Sequence, residues 1–246
     1  MMQAEENKKW WANALMIGGV VGLACVILGA LGTKIGVWGF EGGFILLAVG
    51  VVLATIVFFL GVVAFVYCAV KGMRAERSAL LIGTGLSVLI LALMGNQYLA
   101  ARSVPPIHNI STDTQNPPQF DQVVALRDAQ GANPLALNTE VIAQQQAAYP
   151  QLKPLITQRA PEQVLASAEQ VLKDMGMEIV SSNAQLGIVE ATDETFWFGF
   201  KDDVVVRVRP EAGGSVVDVR SVSRVGQSDL GKNAQRIAEI LHGIGS

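Results

Sequence analysis

Residues 42–70 read GGFILLAVGVVLATIVFFLGVVAFVYCAV, a run without a single charged side chain. The hydrocarbon core of a bilayer is about 30 Å thick, and a helix needs about 20 residues to cross it. In lipid, only a helix satisfies all of its backbone hydrogen bonds within one such segment. Residues 11–32 and 78–98 are apolar runs of the same kind. The sequence therefore predicts three transmembrane helices within residues 1–101.

The residues that flank the three spans predict their orientation. Basic residues occur before the first span and between the second and third, at Lys8, Lys9, Lys71, Arg74 and Arg77. The loop between the first and second spans has Lys34 with Glu41 beside it. Short loops rich in Lys and Arg stay in the cytoplasm. We therefore expect a multi-pass protein of the bacterial inner membrane, with a cytoplasmic amino terminus and a periplasmic carboxy-terminal domain.

The spans lack the residues that a transport protein uses. No span has an ionisable residue at its centre, although such residues usually mark ion pathways and proton relays. This argues against a channel, a pump or a coupled transporter. Gly18 and Gly22 form a small-xxx-small pair, which lets helix backbones approach closely. The pair can pack the spans against one another within one chain, or it can form the seam of a homodimer.

The rest of the chain has a different composition. Residues 1–101 carry six Lys or Arg and four Asp or Glu, a net charge of +2, whereas residues 102–246 carry twelve and seventeen, a net charge of −5. Both cysteines, Cys25 and Cys68, belong to the spans. The exported part therefore has no disulfide and must be stable through packing. Its negative charge and its location argue against nucleic acid as a partner.

The exported part divides into two segments. Residues 102–160 contain seven of the nine prolines, which favours an extended segment that covers a folded domain. Residues 161–246 begin with an amphipathic helix, continue with short alternating strands, and end with a helix that reaches about His242. The strands at 204–209 and 215–224 have the pattern of a hairpin. We predict an α+β domain in which two helices pack on an antiparallel sheet.

Several motifs of the exported part resemble a known family. PIHNISTDT at residues 106–114, PPQF at 117–120, DVVVRVR at 203–209 and DVRSVSR at 218–224 are similar to motifs of Domain of Unknown Function family 1499. The resemblance covers nearly all of residues 103–246. It implies a protein of a bacterial envelope or a plant plastid, often with amino-terminal membrane spans. It implies no particular activity.

The predicted hairpin concentrates arginines, at Arg207, Arg209, Arg220 and Arg224. If the register aligns its two strands, these guanidinium groups lie together on one sheet face. Arginine presents a rigid fork of donors that suits a carboxylate or a phosphate. One hypothesis is a site for an anionic lipid headgroup, an anionic glycan or an acidic strip of a partner. The alternative is a solvated surface on which the arginines pair with Asp218, Asp202, Asp203 or Glu190.

Two further residues are candidates for binding. Asp229 lies before the last helix, where free backbone N–H groups can hold an anion. Asp229 can also occupy that position itself, as a cap. Residues 195–200 are rich in aromatic residues and predict a strand in which three phenylalanines face the core. Trp197 then points to the other side, toward a ligand or the membrane surface.

Catalytic residues are sparse in the exported part. His108 near Asp113 can begin a metal site or a pair of a base and its orienting acid. Paired carboxylates, which glycosidases use, occur at Asp193, Glu194, Asp202 and Asp203. The glycine motifs of phosphate and dinucleotide sites and the serine motif of hydrolases are missing. We therefore expect no catalytic residue, no metal ion and no cofactor.

Together these features favour binding over catalysis. We expect a binding or assembly module that recognises membrane lipids or an envelope protein through the arginine-bearing face, with Asp229, Trp197 and His108 as further candidates. The first alternative is a hydrolase or transferase that acts on envelope lipid or glycan through Asp202, Asp203 and His108. The second is a structural accessory subunit of a larger membrane complex, held by the glycine-rich spans.

Overall fold

A computed structural model describes residues 9–246 of the chain. The chain forms two compact units. One comprises the residues up to Leu99 together with Trp197–Gly199, and the other comprises Ala100–Phe196 together with Phe200–Ser246. We call the first the membrane unit, because it contains the apolar spans, and the second the α+β domain.

The apolar part of the sequence forms three long helices, which are α1 (Trp10–Lys34), α2 (Phe40–Lys71) and α3 (Arg77–Ser103). All three are long and apolar enough to span a membrane, which confirms the prediction of three membrane-spanning helices. α2 ends at Gly72, whose φ of +69° is the left-handed conformation that closes many helices. Phe59 and Val63 are exposed on α2, as expected for a helix surface that meets lipid.

Glycines let α1 and α2 approach each other closely. A Cβ atom added to Gly50 would lie 2.7 Å from the carbonyl oxygen of Gly22, and one added to Gly18 would lie 2.8 Å from a methyl group of Val57. Both distances are too short for real contacts, so a larger residue would push the helices apart. The Gly18–Gly22 pair is therefore used for packing within one chain, the first of the two alternatives.

The α+β domain is built on a six-stranded antiparallel sheet. Its strands are β1 (Asn109–Ser111), β2 (Leu155–Thr157), β3 (Glu178–Asn183), β4 (Ile188–Glu194), β5 (Lys201–Glu211) and β6 (Gly214–Ser223). Its helices are α4 (Gln122–Ala129), α5 (Thr139–Ala148), α6 (Pro161–Asp174) and α7 (Lys232–Gly245). The strand order is β1–β6–β5–β4–β3, and β2 also pairs with β6. The predicted α+β class is confirmed.

Helices α6 and α7 cover one face of the sheet with their apolar sides. Pro161 is the first residue of α6, where a missing N–H costs no hydrogen bond. Val164 and Leu172 of α6 and Ile237 and Ile240 of α7 are fully buried, in one cluster with the valines of β5 and β6. Each such side chain contributes roughly 1.5–3 kcal/mol by leaving water. This layer is the main core of a domain that has no disulfide.

The chain between β1 and β2 covers the opposite face of the sheet. The sequence predicts this stretch as extended, yet it contains α4 and α5, which are too short to show a helical repeat. Phe120 and Val123 pack against Ile188, Val205 and Val222 of the sheet in a second, smaller core. Helical structure therefore lies on both faces of the sheet, whereas the sequence predicts it on one.

The strand predicted at residues 195–200 is wrong. Strands β4 and β5 pair as far as Glu194 and Lys201, and residues 195–200 form the loop that connects them. Gly199 in this loop has a φ of +66°, which no strand residue adopts. Phe196 is 74% exposed and not in the core. The geometry of the hairpin connection overrides the strand preference of the aromatic residues.

Candidate anion-binding pocket

The pairing of β5 with β6 brings the hairpin arginines onto one face of the sheet. Arg207 lies opposite Asp218, and Val205 lies opposite Arg220. Side chains of alternate strand residues, and of directly opposed residues, point to the same face. This is the face that α4 covers, so Arg220 and Arg224 are enclosed rather than solvated. The pairing with Asp218 and Asp203 that the alternative names is nevertheless present at the hairpin arginines other than Arg220. Arg220 is buried, whereas the side chain of Arg209 is 45% exposed.

Arg207 and Arg209 are paired with carboxylates of the same domain. The Oδ2 atom of Asp218 accepts hydrogen bonds from Arg207 Nη2 at 2.8 Å and from Arg209 Nε at 3.0 Å. Arg207 Nη2 also donates to Asp113 Oδ2 at 3.1 Å and to the carbonyl of Asn116 at 2.9 Å. These two arginines therefore hold Asp218 and the loop that follows β1.

Arg224 is paired more fully. Its Nε and Nη2 atoms donate to the two oxygens of Asp203 at 2.9 and 2.7 Å, a bidentate pair. Arg127 of α4 donates to the same carboxylate at 2.6 Å, and Thr192 adds a hydroxyl hydrogen bond at 2.8 Å. All four side chains are buried. Arg224 is thus occupied inside the domain.

Arg220 differs from the other arginines of the hairpin. It is 2% exposed, and no carboxylate lies within 4.0 Å of it in residues 9–246. Its Nε and Nη1 atoms donate to Asn109 Oδ1 and to the carbonyl of Pro118, both at 3.1 Å, and its Nη2 atom donates to the carbonyl of Leu135. Because a guanidinium has five N–H donors, one N–H remains on Nη1 and one on Nη2.

The surroundings of Arg220 disfavour its charge. Burial, assisted by the positive charge of Arg127, lowers the pKa of Arg220 to about 10. At neutral pH the side chain is nevertheless cationic, because that value lies well above 7. The Phe120 ring, whose centroid is 5.6 Å from the guanidinium carbon, gives partial compensation as a cation–π contact. Arg220 is therefore a buried cation whose hydrogen-bond acceptors are all neutral groups.

Arg220 lines a pocket of about 590 Å³. One wall consists of residues from the segments 114–119 and 135–137, and the other consists of α5 residues between Thr139 and Gln146. Apart from Arg220, the residues that line the pocket are all uncharged. The volume is within the range of small-molecule sites, about 300–1,000 Å³. The arrangement can hold an anion against a buried guanidinium.

Three pairs of residues make polar contacts that fix the walls of the pocket. The buried amide of Gln145 on α5 accepts from the Ser111 N–H at 3.0 Å and donates to the Ser111 carbonyl at 2.7 Å. Across the pocket, Gln146 Nε2 donates to Thr114 Oγ1 at 3.3 Å. Arg207 holds the other wall through Asn116. The pocket is therefore a preformed part of the domain.

The remaining candidate residues lie elsewhere in the fold. Asp229 accepts from the N–H groups of Gly231 and Asn233 at 2.8 and 3.0 Å. It therefore occupies free N–H groups at the start of α7 from two residues before the N-cap residue, Gly231. His108 is half-buried, and its Nδ1 atom is 3.4 Å from the carbonyl oxygen of Gln227. Trp197 is 57% exposed in the loop between β4 and β5. None of these residues lines the pocket.

The carboxylates considered for catalysis form ion pairs. Arg236 of α7 donates to Asp193 at 2.5 Å and to Asp202 at 2.8 Å. Burial opposes the charge of Arg236, but Asp202 and Asp193 outweigh it and raise the pKa of Arg236 above its ordinary value. Asp203 is held by two arginines, as described above. In the described residues no three His, Cys, Asp or Glu side chains gather into a metal site.

The sequence does not reveal the residues that make the surroundings of Arg220 different from those of the other arginines. Arg127 and Arg236 take the carboxylates of Asp203 and Asp202, and Gln145 positions a pocket wall. Arg127 lies 76 residues before Asp203 in the chain, so no local pattern relates the two. The sequence offers only a weak signal for these residues. Arg127 on α4 and Gln145 on α5 are polar residues in a segment that the sequence predicts only to cover the domain.

The fold and the pocket define a class: a three-span membrane protein whose α+β domain buries an arginine beside a pocket. Residues 109–244 match the model of a family described as protein of unknown function (DUF1499). The match covers more than half of the chain, and the chain belongs to this family. No curated protein matches the chain. The resemblance of the sequence motifs is thus confirmed.

Proposed function

We propose that the chain is a membrane-anchored binding protein of the bacterial inner membrane. Its α+β domain would face the periplasm and recognise an acidic group of a lipid or of an envelope partner in the Arg220 pocket. The observation that carries the proposal is Arg220, a buried cation that lines a pocket. Burying a charge is costly unless it is paired, and an anion that enters the pocket would supply the missing pair.

The other buried arginines of the domain support the proposal by contrast. Arg127 and Arg224 have Asp203 at 2.6 and 2.7 Å, and Arg236 has Asp202 at 2.8 Å. Of the four buried arginines in the described residues, Arg220 is the one without such a partner. Breaking a buried ion pair typically costs 3–5 kcal/mol. The three buried arginines that do not line the pocket are therefore all paired with a carboxylate of the domain.

Glu190 is a buried carboxylate on the same row of the sheet as Arg220. The row runs from Glu190 through Val205 to Arg220, and with neighbouring strands about 4.8 Å apart the two backbones are about 10 Å apart. The Glu190 oxygens accept from the backbone N–H groups of Asp121 and Gln122 at 2.6 and 2.8 Å. Glu190 thus complements the amino-terminal end of α4, and it does not neutralise Arg220.

The pairing of acidic residues favours binding over catalysis. A hydrolase of the glycosidase type needs two carboxylates that flank a bond. Asp202 and Asp203 are both buried in ion pairs with arginines, and His108 contacts a backbone carbonyl. These residues support the structure of the domain. The pocket itself contains a cation and neutral side chains, which suits recognition of an anion.

The binding test uses the full chain in a neutral detergent with four probes at constant ionic strength: hexanoate, dimethyl phosphate, inorganic phosphate and neutral hexanamide. Ala143 is an exposed pocket residue on α5, so Ala143→Glu places a negative charge at the mouth. Ala125 is exposed on α4 outside the pocket, so Ala125→Glu is a matched control. A ligand at a hundred times its Kd stabilises by about 2.7 kcal/mol.

We expect at least one anion to raise the unfolding temperature of the wild type and of Ala125→Glu, and to leave Ala143→Glu unchanged. Equal stabilisation of all three proteins would show a general salt effect, and it would contradict the proposal. So would stabilisation by hexanamide to the same extent, or the failure of every anion to stabilise the wild type.

The proposed orientation has a separate test. Lys71, Arg74 and Arg77 lie at the connection of α2 and α3, and such clusters stay in the cytoplasm. In intact cells, a membrane-impermeant maleimide should label Gln185→Cys, an exposed position of the domain. It should label Arg74→Cys only after lysis. The reverse pattern would place the domain in the cytoplasm.

A further inference from the structure

The polarity of the pocket changes from its base to its mouth. Arg220 is fully buried at the base. A middle zone of half-buried apolar residues consists of Leu135, Leu137 and Ile142. The exposed mouth includes the amide side chains of Gln115, Gln119 and Gln146, together with Ala136, Thr139 and Ala143. A ligand with an acidic end, an apolar part beside it and hydrogen-bonding groups behind fits this order.

The charge of the pocket limits the charge of the ligand. Arg220 is the one charged residue among those that line it, and its Nη1 and Nη2 atoms each keep one N–H. A carboxylate has one charge and two oxygens, which this pair of donors can satisfy. A phosphate monoester would bring a second negative charge to a site without a second cation. The site thus favours a monoanion.

The size of the pocket limits the ligand further. At roughly 30 Å³ for each water molecule, 590 Å³ corresponds to about twenty waters. A free carboxylate would leave most of that space unused. The rest of the ligand must carry groups that the glutamines can pair with, because each amide side chain both donates and accepts hydrogen bonds. Peptide bonds have this property.

The order of the three zones favours a peptide over a lipid as the ligand. An acyl chain whose acidic end reached Arg220 would offer no hydrogen-bonding group to the three glutamine side chains. A peptide would place its last side chain in the middle zone and its preceding peptide bonds at the glutamines. The hydrogen bond from Gln146 to Thr114 at 3.3 Å joins α5 to the segment 114–119 where both line the pocket.

We infer that the pocket binds the free carboxy terminus of a polypeptide whose last residue is apolar. The terminal carboxylate pairs with Arg220, the last side chain contacts Leu135, Leu137 and Ile142, and the main chain reaches the glutamines at the mouth. This inference rests on the proposed function and identifies the chemistry of the partner. Capture of a terminal carboxylate is one of the recurring modes of peptide recognition.

The test compares pools of hexapeptides that are random at their first five positions and defined at the last. Each pool is prepared as the free acid and as the carboxy-terminal amide, and retention on the full chain in neutral detergent is measured by mass spectrometry. We expect free acids that end in Leu, Ile or Val to be retained about tenfold or more above their amides, since a hydrogen-bonded charge pair is lost. Free acids that end in Lys or Asp should be retained as weakly as the amides.

Variants of the chain test whether the retention of free-acid peptides depends on the pocket. The retention should persist in Ala125→Glu and disappear in Ala143→Glu. Arg220→Lys, which keeps the charge but loses the fork of donors, should lower the retention of free acids toward that of amides. If either pocket variant fails to fold, the comparison of acids with amides on the wild type alone decides.

The outcomes distinguish this inference from the proposed function. Equal retention of acids and amides would overturn it. If no peptide is retained, but short-chain dihexanoyl phosphatidylglycerol stabilises the wild type and Ala125→Glu and not Ala143→Glu, the ligand is a monoanionic lipid. In that case the inference is wrong and the proposed function stands. If neither probe acts through the pocket, the inference is wrong, and the proposed function is wrong as well if every small anion also fails to stabilise the wild type.

Discussion

The two faces of the sheet in the α+β domain are held by different interactions. On the α6–α7 face, the buried residues are aliphatic, and their contribution depends on area and shape and has little directionality. On the α4 face, a few apolar residues surround a row of buried ion pairs, among them Arg224 with Asp203 and Arg207 with Asp218. Each of these pairs depends on both of its members. On the α4 face, Arg220 is the buried arginine without a carboxylate partner, whereas the other buried charges of that face hold the structure through their pairs.

The largest effect should come from breaking an ion pair on the α4 face. Asp203→Asn removes the carboxylate that Arg127 and Arg224 share, and it leaves two buried cations close together. We expect the free energy of unfolding to fall by about 4 kcal/mol. Thermal or chemical unfolding of the full chain in detergent measures the change. Glu211→Gln, the removal of an exposed carboxylate on the same strand, should cost almost nothing.

A core truncation on the α6–α7 face should have a somewhat smaller effect. Leu172 is fully buried on α6, and Leu172→Ala deletes apolar surface and leaves a cavity. We expect a loss of about 3 kcal/mol. Leu186→Ala, at a position 58% exposed in the turn between β3 and β4, is the control and should cost much less. If Asp203→Asn proved no more damaging than Glu211→Gln, the stability of the α4 face would not depend on its pairs.

An intermediate effect is expected where α7 begins. Asp229→Ala removes the acceptor of two N–H groups and should cost about 1 kcal/mol. Burial raises the pKa of Asp229 above its ordinary value, although the N–H groups of Gly231 and Asn233 oppose the rise. A raised pKa of an acid means that the proton is bound more tightly in the folded state.

The pH dependence of Asp229 therefore has a definite sign. Its proton contributes stability below the unfolded pKa of about 3.9, and this contribution is lost as the pH rises through the folded value. We expect the wild type to lose stability relative to Asp229→Asn over that rise, in unfolding measurements at matched ionic strength. A difference that stays constant with pH would show that Asp229 is not linked to folding in this way.

The smallest effect should occur on the outer surface of α6. The hydrogen bond from Lys173 to Glu169, at 2.6 Å, and that from Ser182 lower the pKa of Glu169. This stability is present above the unfolded pKa of about 4.3 and is lost as the pH falls through the folded value. Because both side chains are partly exposed, we expect Glu169→Gln to cost about 0.3–0.5 kcal/mol at neutral pH. The cost should vanish in strong acid or high salt.

The sequence predicts those parts of the molecule that follow from composition and local periodicity. The three spans follow from charge-free runs such as residues 42–70, because lipid permits no other backbone structure there. The β5–β6 hairpin follows from the alternation around Val206 and Val219, whose side chains are buried on one face. The helices α6 and α7 follow from their apolar repeat. Each of these signals extends over enough residues to exclude the competing structures.

The remaining features depend on contacts between distant residues. The prediction at residues 195–200 is wrong because the hairpin connection, and not aromatic content, determines that loop. The four hairpin arginines look alike in the sequence, and the sequence predicts no difference among them. Strand register does not distinguish Arg220 from Arg224, because Asp203 lies opposite Val222, which is two positions from each of them. The Asp203 carboxylate nevertheless pairs with Arg224 and not with Arg220. Arg127, brought in by α4, completes that pair.

The amide of Gln145 has a consequence for the solubility of the domain. β1 is an edge strand, and edge strands with unused backbone groups can pair with other chains and aggregate. The N–H and C=O groups of Ser111, which point away from β6, are both hydrogen-bonded to the side-chain amide of Gln145. A neighbouring strand would form hydrogen bonds with the same two groups. A single amide thus occupies this position of the edge. A disulfide-free domain displayed at a membrane, where copies are concentrated, is thereby protected from sheet-to-sheet association at this edge.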